Sequence, residues 1–213
     1  MTDGSTNDQL AVPPHIRPAA EVRGSTLAFR TATPEDAEFV FALRRSPEKS
    51  RHLSPVSDRV EDQRRWLERY ARSEGQAYFM IEHEGRRIGT VRLYDARSDS
   101  FCWGSWILID DRPRQAAVES ALMVYAYAVD HLGFARAHFG VRLGNEKVLR
   151  FHARMGAREL RRDARDAFFE MTPEAIRSAR ESLDRFLPGG EVEVVLAQRR
   201  SRGDGGGEPS ASG

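Results

Sequence analysis

Residues 100–142 constrain the fold more than any other stretch of this chain. SFCWGSWILID opens the stretch as a strongly apolar strand, a long helical segment runs from about Pro113 to His131, and RAHFGVRL closes it as a second strand. A strand, a helix and a strand at this length make a crossover, which leaves the two strands parallel. Just upstream, QAYFMIEHEG and RRIGTVRLYD read as a hairpin around Glu84 and Gly85 that continues into SFCWGSWILID as an antiparallel meander. The predicted sheet is therefore mixed.

The flanking segments supply the layers around that sheet. LAFRTA is a strand, and Thr33, Pro34, Glu35 and Asp36 open a helix that runs through Leu43, with a hydroxyl cap, proline at the first helical position and acids in the first turn. After a proline-broken loop, Ser57 starts a second helix whose Val60, Trp66, Leu67 and Tyr70 share one face. Downstream, NEKVLRFHARMGA is a short amphipathic helix with Val148, Phe151 and Met155 on its apolar stripe. ARELRR and DAFFEMT form a further strand pair, and Pro173 begins a closing helix through Leu187. Together these elements predict the α/β class: a three-layer α/β sandwich with a mixed, mostly antiparallel central sheet.

One domain is the natural count for 213 residues of which 40% are hydrophobic. Residues 1–25 lack a periodic apolar face and are expected to be a disordered tail; 26–187 form the folded unit. Residues 188–213 are expected to be a flexible tail carrying a short strand around Val192 to Leu196. With 33 Lys and Arg against 32 Asp and Glu, no global field draws the protein to nucleic acid or to a membrane surface. Cys102 is the single cysteine, which excludes an intrachain disulfide and a cysteine-cluster metal site. No basic segment precedes an apolar run at the start, and no apolar stretch is long enough to span a bilayer, so a cytoplasmic protein without metal is expected.

His152 is the residue that composition does not explain. It sits within the apolar stripe of its helix, where it reads either as a packed histidine at the edge of the core or as a working titratable group. Asn145, three residues before Val148, is a good cap for the same helix.

Asn145, Val148, Phe151, His152, Arg154, Gly156 and Ala157 keep the spacing of a known signature. That stretch, with the order of elements over roughly residues 26 to 172, resembles the GNAT superfamily of acyl-CoA-dependent N-acetyltransferases. Within it, LRRSPEKSRHLS ahead of a helix carrying Gln63 and Trp66, and DAFFEMTPE near the end, are similar to ribosomal-protein alanine acetyltransferases and to amino-sugar nucleotide acetyltransferases. The resemblance implies the acyl-CoA N-acyltransferase fold, acetyl-CoA as acyl donor, a small-molecule amine as acceptor, and a homodimer.

The resemblance also implies site residues. His152 stands where GNAT enzymes commonly carry a tyrosine that protonates the coenzyme A thiolate, and a histidine with a pKa near 6.5 is a substitute donor. Asn145 is implied at the pantetheine arm. Ile109, Arg112, Arg114, Gln115, Ala116 and Ala117 are implied around the pyrophosphate, through free amides at a helix start and two arginines. Gln115 replaces the usual glycine of that loop, and Pro113 removes a donor. For a general base, Glu82, His83, Asp95 and His138 are the candidates. Strand alternation puts Trp103 and Ser105 on one face and Cys102, Gly104 and Trp106 on the other. The expected acceptor contacts are accordingly Arg44, Trp103 and Ser105. Trp66, Tyr78, Phe79, Trp103 and Trp106 are candidates for an aromatic acceptor pocket, and Arg44, Arg45 and Arg51 for holding a phosphate.

Three functional readings follow. The first is acetyl transfer to a small primary amine such as an amino-sugar nucleotide. The second makes the acceptor a protein N-terminus, which calls for an open acidic groove. The third is a GNAT-fold module that binds acyl-CoA or a partner without turnover, which the departures at Gln115 and His152 favour.

Overall fold

Turn chemistry sets the meander. In the computed structural model, which describes residues 13–46, 51 and 57–196, Glu84 and Gly85 hold φ of 50° and 75°. Two successive positive φ values match the right-handed twist of a two-residue hairpin. The strands it joins are β3 (Ala77–His83) and β4 (Arg86–Arg97), and β5 (Ser100–Leu108) continues the meander. The remaining strands are β1 (Glu21–Arg23), β2 (Leu27–Thr31), β6 (Arg136–Arg142), β7 (Arg158–Arg162), β8 (Asp166–Met171) and β9 (Glu193–Val195). The helices are α1 (Ala37–Arg45), α2 (Val60–Tyr70), α3 (Ala116–Ala126), α4 (Glu146–Arg154) and α5 (Pro173–Ser182).

The strands lie in the order β7-β8-β6-β5-β4-β3-β2-β1-β9. Only β5 and β6 run parallel, and they pair only over residues 100–102 against 136–138. Beyond that point β6 turns to β8, against which it pairs from Ala137 to Arg142. The sheet is thus mixed and mostly antiparallel, and it is split between β5 and β6.

Alternation along β3 shows the layers. Tyr78 and Met80 pack with Val40, Leu67 and Tyr70 of α1 and α2, while Ala77, Phe79 and Ile81 pack on the opposite side with α3 residues such as Leu122. α3 is buried almost all round, as befits a helix at the centre of a core. Its Glu119 is also fully buried and accepts from the Thr26 amide at 2.6 Å, the Thr26 hydroxyl at 2.6 Å and the Leu27 amide at 2.9 Å, tying α3 to β2. Across the sheet Asp36 accepts from Arg30, Arg87 and the Thr33 amide. Burial raises its pKa, but Arg30 and that amide outweigh burial and hold the carboxyl below its ordinary range.

The folded unit is longer than 26–187. Ile16, Ala19 and Val22 lie in the core, β1 pairs with β2, and β9 pairs with β1, so both chain ends build one sheet edge. The rest of the two expected tails lies outside the described residues, as do residues 47–50 and 52–56 of the loop between α1 and α2. Several helices are also shorter than their patterns. α2 begins at Val60 rather than Ser57, α3 begins after a turn at Pro113–Gln115 and ends in a π-helical turn at Tyr127–His131, and α5 stops at Ser182 before two 3-10 turns. No helix among the described residues is long and apolar enough to cross a membrane.

Candidate active site

A bulge in β5 organises the site. Arg92 faces Gly104 and Thr90 faces Ile107 across the β4–β5 ladder, so two steps on β4 oppose three on β5. The extra residue leaves a backbone group outside the ladder. Ser105 sits there at φ 46°, a left-handed conformation costly for a side-chain-bearing residue, and its carbonyl accepts from Thr90 Oγ1 at 2.8 Å. One inserted residue also reverses the alternation beyond it. Trp103 and Trp106 fall on the same face with ring centroids 5.4 Å apart, and Ser105 opens to the other side. The expected pairing of Trp103 with Ser105 is corrected accordingly.

Past residue 102, β5 has no ladder partner in β6, and a cleft of about 780 Å3 opens between β5, α3 and α4. Trp106 and Leu108 form one wall, and Val148 and Phe151 the other. Three of the residues expected at a coenzyme line it: Arg112, Ala117 and Asn145. Arg112 Nη1 donates to the Ile109 carbonyl at 2.6 Å, which fixes the side chain at the start of α3. Asn145 caps α4, its Oδ1 accepting from the Val148 amide at 3.4 Å.

Ile109, Arg114, Gln115 and Ala116 do not line the cleft. Ile109 packs against the core, and its amide donates to the Ile88 carbonyl. Ala116 is buried with its amide closed on the Pro113 carbonyl at 3.0 Å, and Arg114 is exposed. Gln115 has φ −77°, an ordinary right-handed value, so the loop does not use the left-handed geometry that a glycine there would serve. The carboxylate of Glu119, engaged with Thr26 and Leu27, does not line the cleft either.

His152 lies behind the wall of the cleft. It is 4% exposed, with ring centroids of Phe139, Trp103, Phe151 and Trp106 at 4.2, 5.3, 5.5 and 6.3 Å. Nδ1 has no hydrogen-bond partner among the described residues. Burial among rings, without a carboxylate to offset it, pushes the imidazole pKa down to about 3. The ring is neutral near pH 7 and does not carry the extra proton that the sequence reading asked of it.

A second cavity, of about 440 Å3, lies on the α1/α2 face of the sheet. Arg44, Trp66, Arg92, Tyr94 and Ser105 are among its walls, so of the expected acceptor contacts Arg44 and Ser105 come together while Trp103 does not. Consecutive residues Ser105 and Trp106 line the two cavities, which are separated by one strand. The expected aromatic pocket is divided in the same way. Trp66 and Tyr78 pack together on the α1/α2 face, Phe79 stacks on Phe29 on the other, and the two tryptophans of β5 join His152. The three arginines expected at a phosphate also separate: Arg45 pairs with Asp58, and Arg51 lines the first cleft.

Among the expected bases, Glu82 is bonded to Arg30 at 2.9 Å, and His83 Nδ1 lies 3.1 Å from the Thr26 carbonyl. Asp95 and His138 are brought together at 3.4 Å, with Ser100 Oγ 2.7 Å from the other ring nitrogen. Arg97 first, and His138 after it, hold the Asp95 carboxyl below its ordinary range. Sequence reasoning missed Arg92 and Tyr94. The alternation of Thr90, Arg92 and Tyr94 along one face of an otherwise apolar strand was the available signal.

The family model described as an acetyltransferase (GNAT) domain matches residues 26–158. No curated protein matches the chain significantly. Among solved structures, FdhC, a nucleotide-linked sugar GNAT, is 35% identical with a TM-score of 0.71, covering 78% of this chain and 98% of its own. A GCN5-related N-acetyltransferase from Brucella melitensis is similar at 16% identity and TM-score 0.70 over 84% of this chain and 91% of its own. A variant of the spermidine N-acetyltransferase SpeG from Vibrio cholerae is 14% identical at TM-score 0.62, covering 72% and 98%. The split between β5 and β6, the capped α4 and a domain match over more than half the sequence agree, and the chain belongs to the GNAT family of N-acetyltransferases.

Proposed function

We propose that this enzyme moves the acetyl group of acetyl-CoA to the primary amine of a small acceptor, and that the acceptor is an amino sugar carried on a nucleotide. One observation carries the reading: two cavities of different character flank the Ser105–Trp106 step of a bulged strand. Because β6 leaves β5 beyond residue 102, an acyl donor in one cavity and an amine in the other would reach each other around that step. The 35% identity to FdhC supports the sugar-nucleotide acceptor.

The first cleft fits acetyl-CoA by its size, its apolar walls and its cations. Arg112 and the amide of Ala117 in the first turn of α3 would hold the pyrophosphate, and Asn145 the pantetheine arm. When bound, acetyl-CoA would supply an activated thioester: the neutral amine bonds to the carbonyl carbon, the carbon–sulfur bond breaks with its electron pair on sulfur, and the proton given up by the nitrogen leaves, in the net reaction, on the coenzyme A thiol. The protein's part is to position and to dry the site. Trp106 and Phe151 wall the cleft with apolar surface. His152 is proposed to act from behind that wall, its unpaired Nδ1 lying in the same ring cluster as Trp106 and Phe151. Its contribution is that of a neutral imidazole. A protein N-terminus fits less well, since the second cavity is walled by arginines rather than carboxylates.

Calorimetric titration of the full chain with acetyl-CoA and with free coenzyme A tests the donor site, followed by thiol-release assays with amino-sugar nucleotides. Saturable micromolar binding and release of one thiol per acetylated amine are expected. A folded protein that binds neither ligand would overturn the proposal.

A further inference from the structure

We infer that the cavity on the α1/α2 face recognises its acceptor through a phosphate group, with Arg59, Arg69 and Arg92 as the specificity-determining cations. This inference rests on the transferase reading above.

The argument begins with charge. Among the described residues four arginines line the cavity, Arg44, Arg59, Arg69 and Arg92, against one carboxylate, Asp62. Asp62 is already engaged by the Ser57 hydroxyl and lies 3.7 Å from Arg65. Among the described residues no carboxylate pairs with Arg59, Arg69 or Arg92, whereas Arg30, Arg87, Arg136 and Arg180 each have one. An unbalanced group of guanidinium forks around a cavity matches the geometry of phosphate oxygens.

Arg92 is the most telling of the group. Its guanidinium lies 5.3 Å from the Trp66 ring centroid and 4.9 Å from that of Tyr94, which holds it flat between two faces. Gln76 accepts from one of its terminal nitrogens, while Nε is buried without a partner. Burial holds its pKa below the ordinary arginine value, the mark of a desolvated cation that no anion offsets. A desolvated, rigid and uncompensated cation disfavours a second cation and favours an anion.

Position adds direction. Ser105 is the lining residue next in sequence to Trp106 of the acyl cleft, and Arg59 and Arg69 stand at the two ends of α2, its N-cap and its last turn. An acceptor with its amine at the bulge and its phosphate at α2 spans the cavity. A polyamine would set its own positive charges against the arginines.

The test compares three acceptors with acetyl-CoA and the full chain: a uridine-diphosphate-linked amino sugar, the same amino sugar without the nucleotide, and spermidine. The kcat/KM for the linked sugar should exceed that for the free sugar by at least about 100-fold, with spermidine slower still. In the double variant Arg59→Gln, Arg69→Gln that ratio should fall by about tenfold or more, and acetyl-CoA titration of the same protein reports that fold and donor site are intact. A direct readout needs no turnover: uridine or thymidine diphosphate should bind saturably in the presence of coenzyme A, and the double variant should lose that binding. Free sugar or spermidine used within about threefold of the linked sugar, or diphosphate binding absent or unaltered by the double substitution, would overturn the inference. Failure of acetyl-CoA to bind would instead strike the transferase reading.

Discussion

Four rings around His152 replace the water that an imidazolium needs, and two consequences follow at this residue. The first concerns stability. Unfolded, the ring takes up a proton near pH 6.5; folded, it does so only near 3. Between those values the unfolded chain holds the extra proton, so this contribution to stability is complete above pH 6.5 and declines by about 1.4 kcal/mol for each pH unit below it. Urea denaturation at pH 7.5 and 5.5 should show a loss of about 1.4 kcal/mol from this source, absent from His152→Phe. Equal losses in both proteins would exonerate the histidine. The second concerns rate. His152→Phe should lower kcat by about 100-fold with acetyl-CoA affinity changed less than about threefold, measured by steady-state assay and calorimetry. Because the ring is neutral throughout, kcat should not decline as pH rises through 6.5; it should climb as the acceptor amine loses its proton. A limb falling with a pKa near 6.5 would mean that the ring is protonated in the working enzyme.

α3 serves the core along most of its length and, in the proposed function, the coenzyme at its start. Glu119 provides the internal tie, so Glu119→Ala should cost about 2 kcal/mol in denaturant unfolding, because the buried Leu27 amide loses its acceptor. At the start of the helix the two arginines separate: Arg112→Gln should weaken acetyl-CoA binding by about tenfold in calorimetry, and Arg114→Gln by less than about twofold. Equal effects would place Arg114 in the cleft as well. Much of this architecture was legible in the sequence, since the Glu84–Gly85 turn, the β3 to β5 alternation and the Asn145 cap are local signals. The bulge was not. A single inserted residue leaves composition unchanged and reverses the phase of every position after it, so Trp106 was assigned to the wrong face and the aromatic pocket was assembled from residues that the fold separates.

In the whole molecule the least legible parts were the ends: β1 is three residues and too short to display a period, and the strand expected around Val192 to Leu196 carried no sign of the edge it pairs with. They become strands through pairing: Glu21 faces Val195 and Arg23 faces Glu193, so the last strand covers the edge of the first. Removing residues from Glu191 onward should expose the β1 edge and the core around Val22, lowering the thermal midpoint by several degrees and promoting self-association in light scattering. An unchanged midpoint would show that β9 contributes nothing to the fold. The same edge has a topological consequence. With residues 20 and 195 joined by a backbone hydrogen bond of 2.8 Å, the chain closes on itself as a near ring, and its linear order is one of several that the same sheet accommodates. A circular permutant whose ends are linked and whose new termini open at the Glu84–Gly85 turn, which lines neither cavity, would be the same enzyme read from a different first residue.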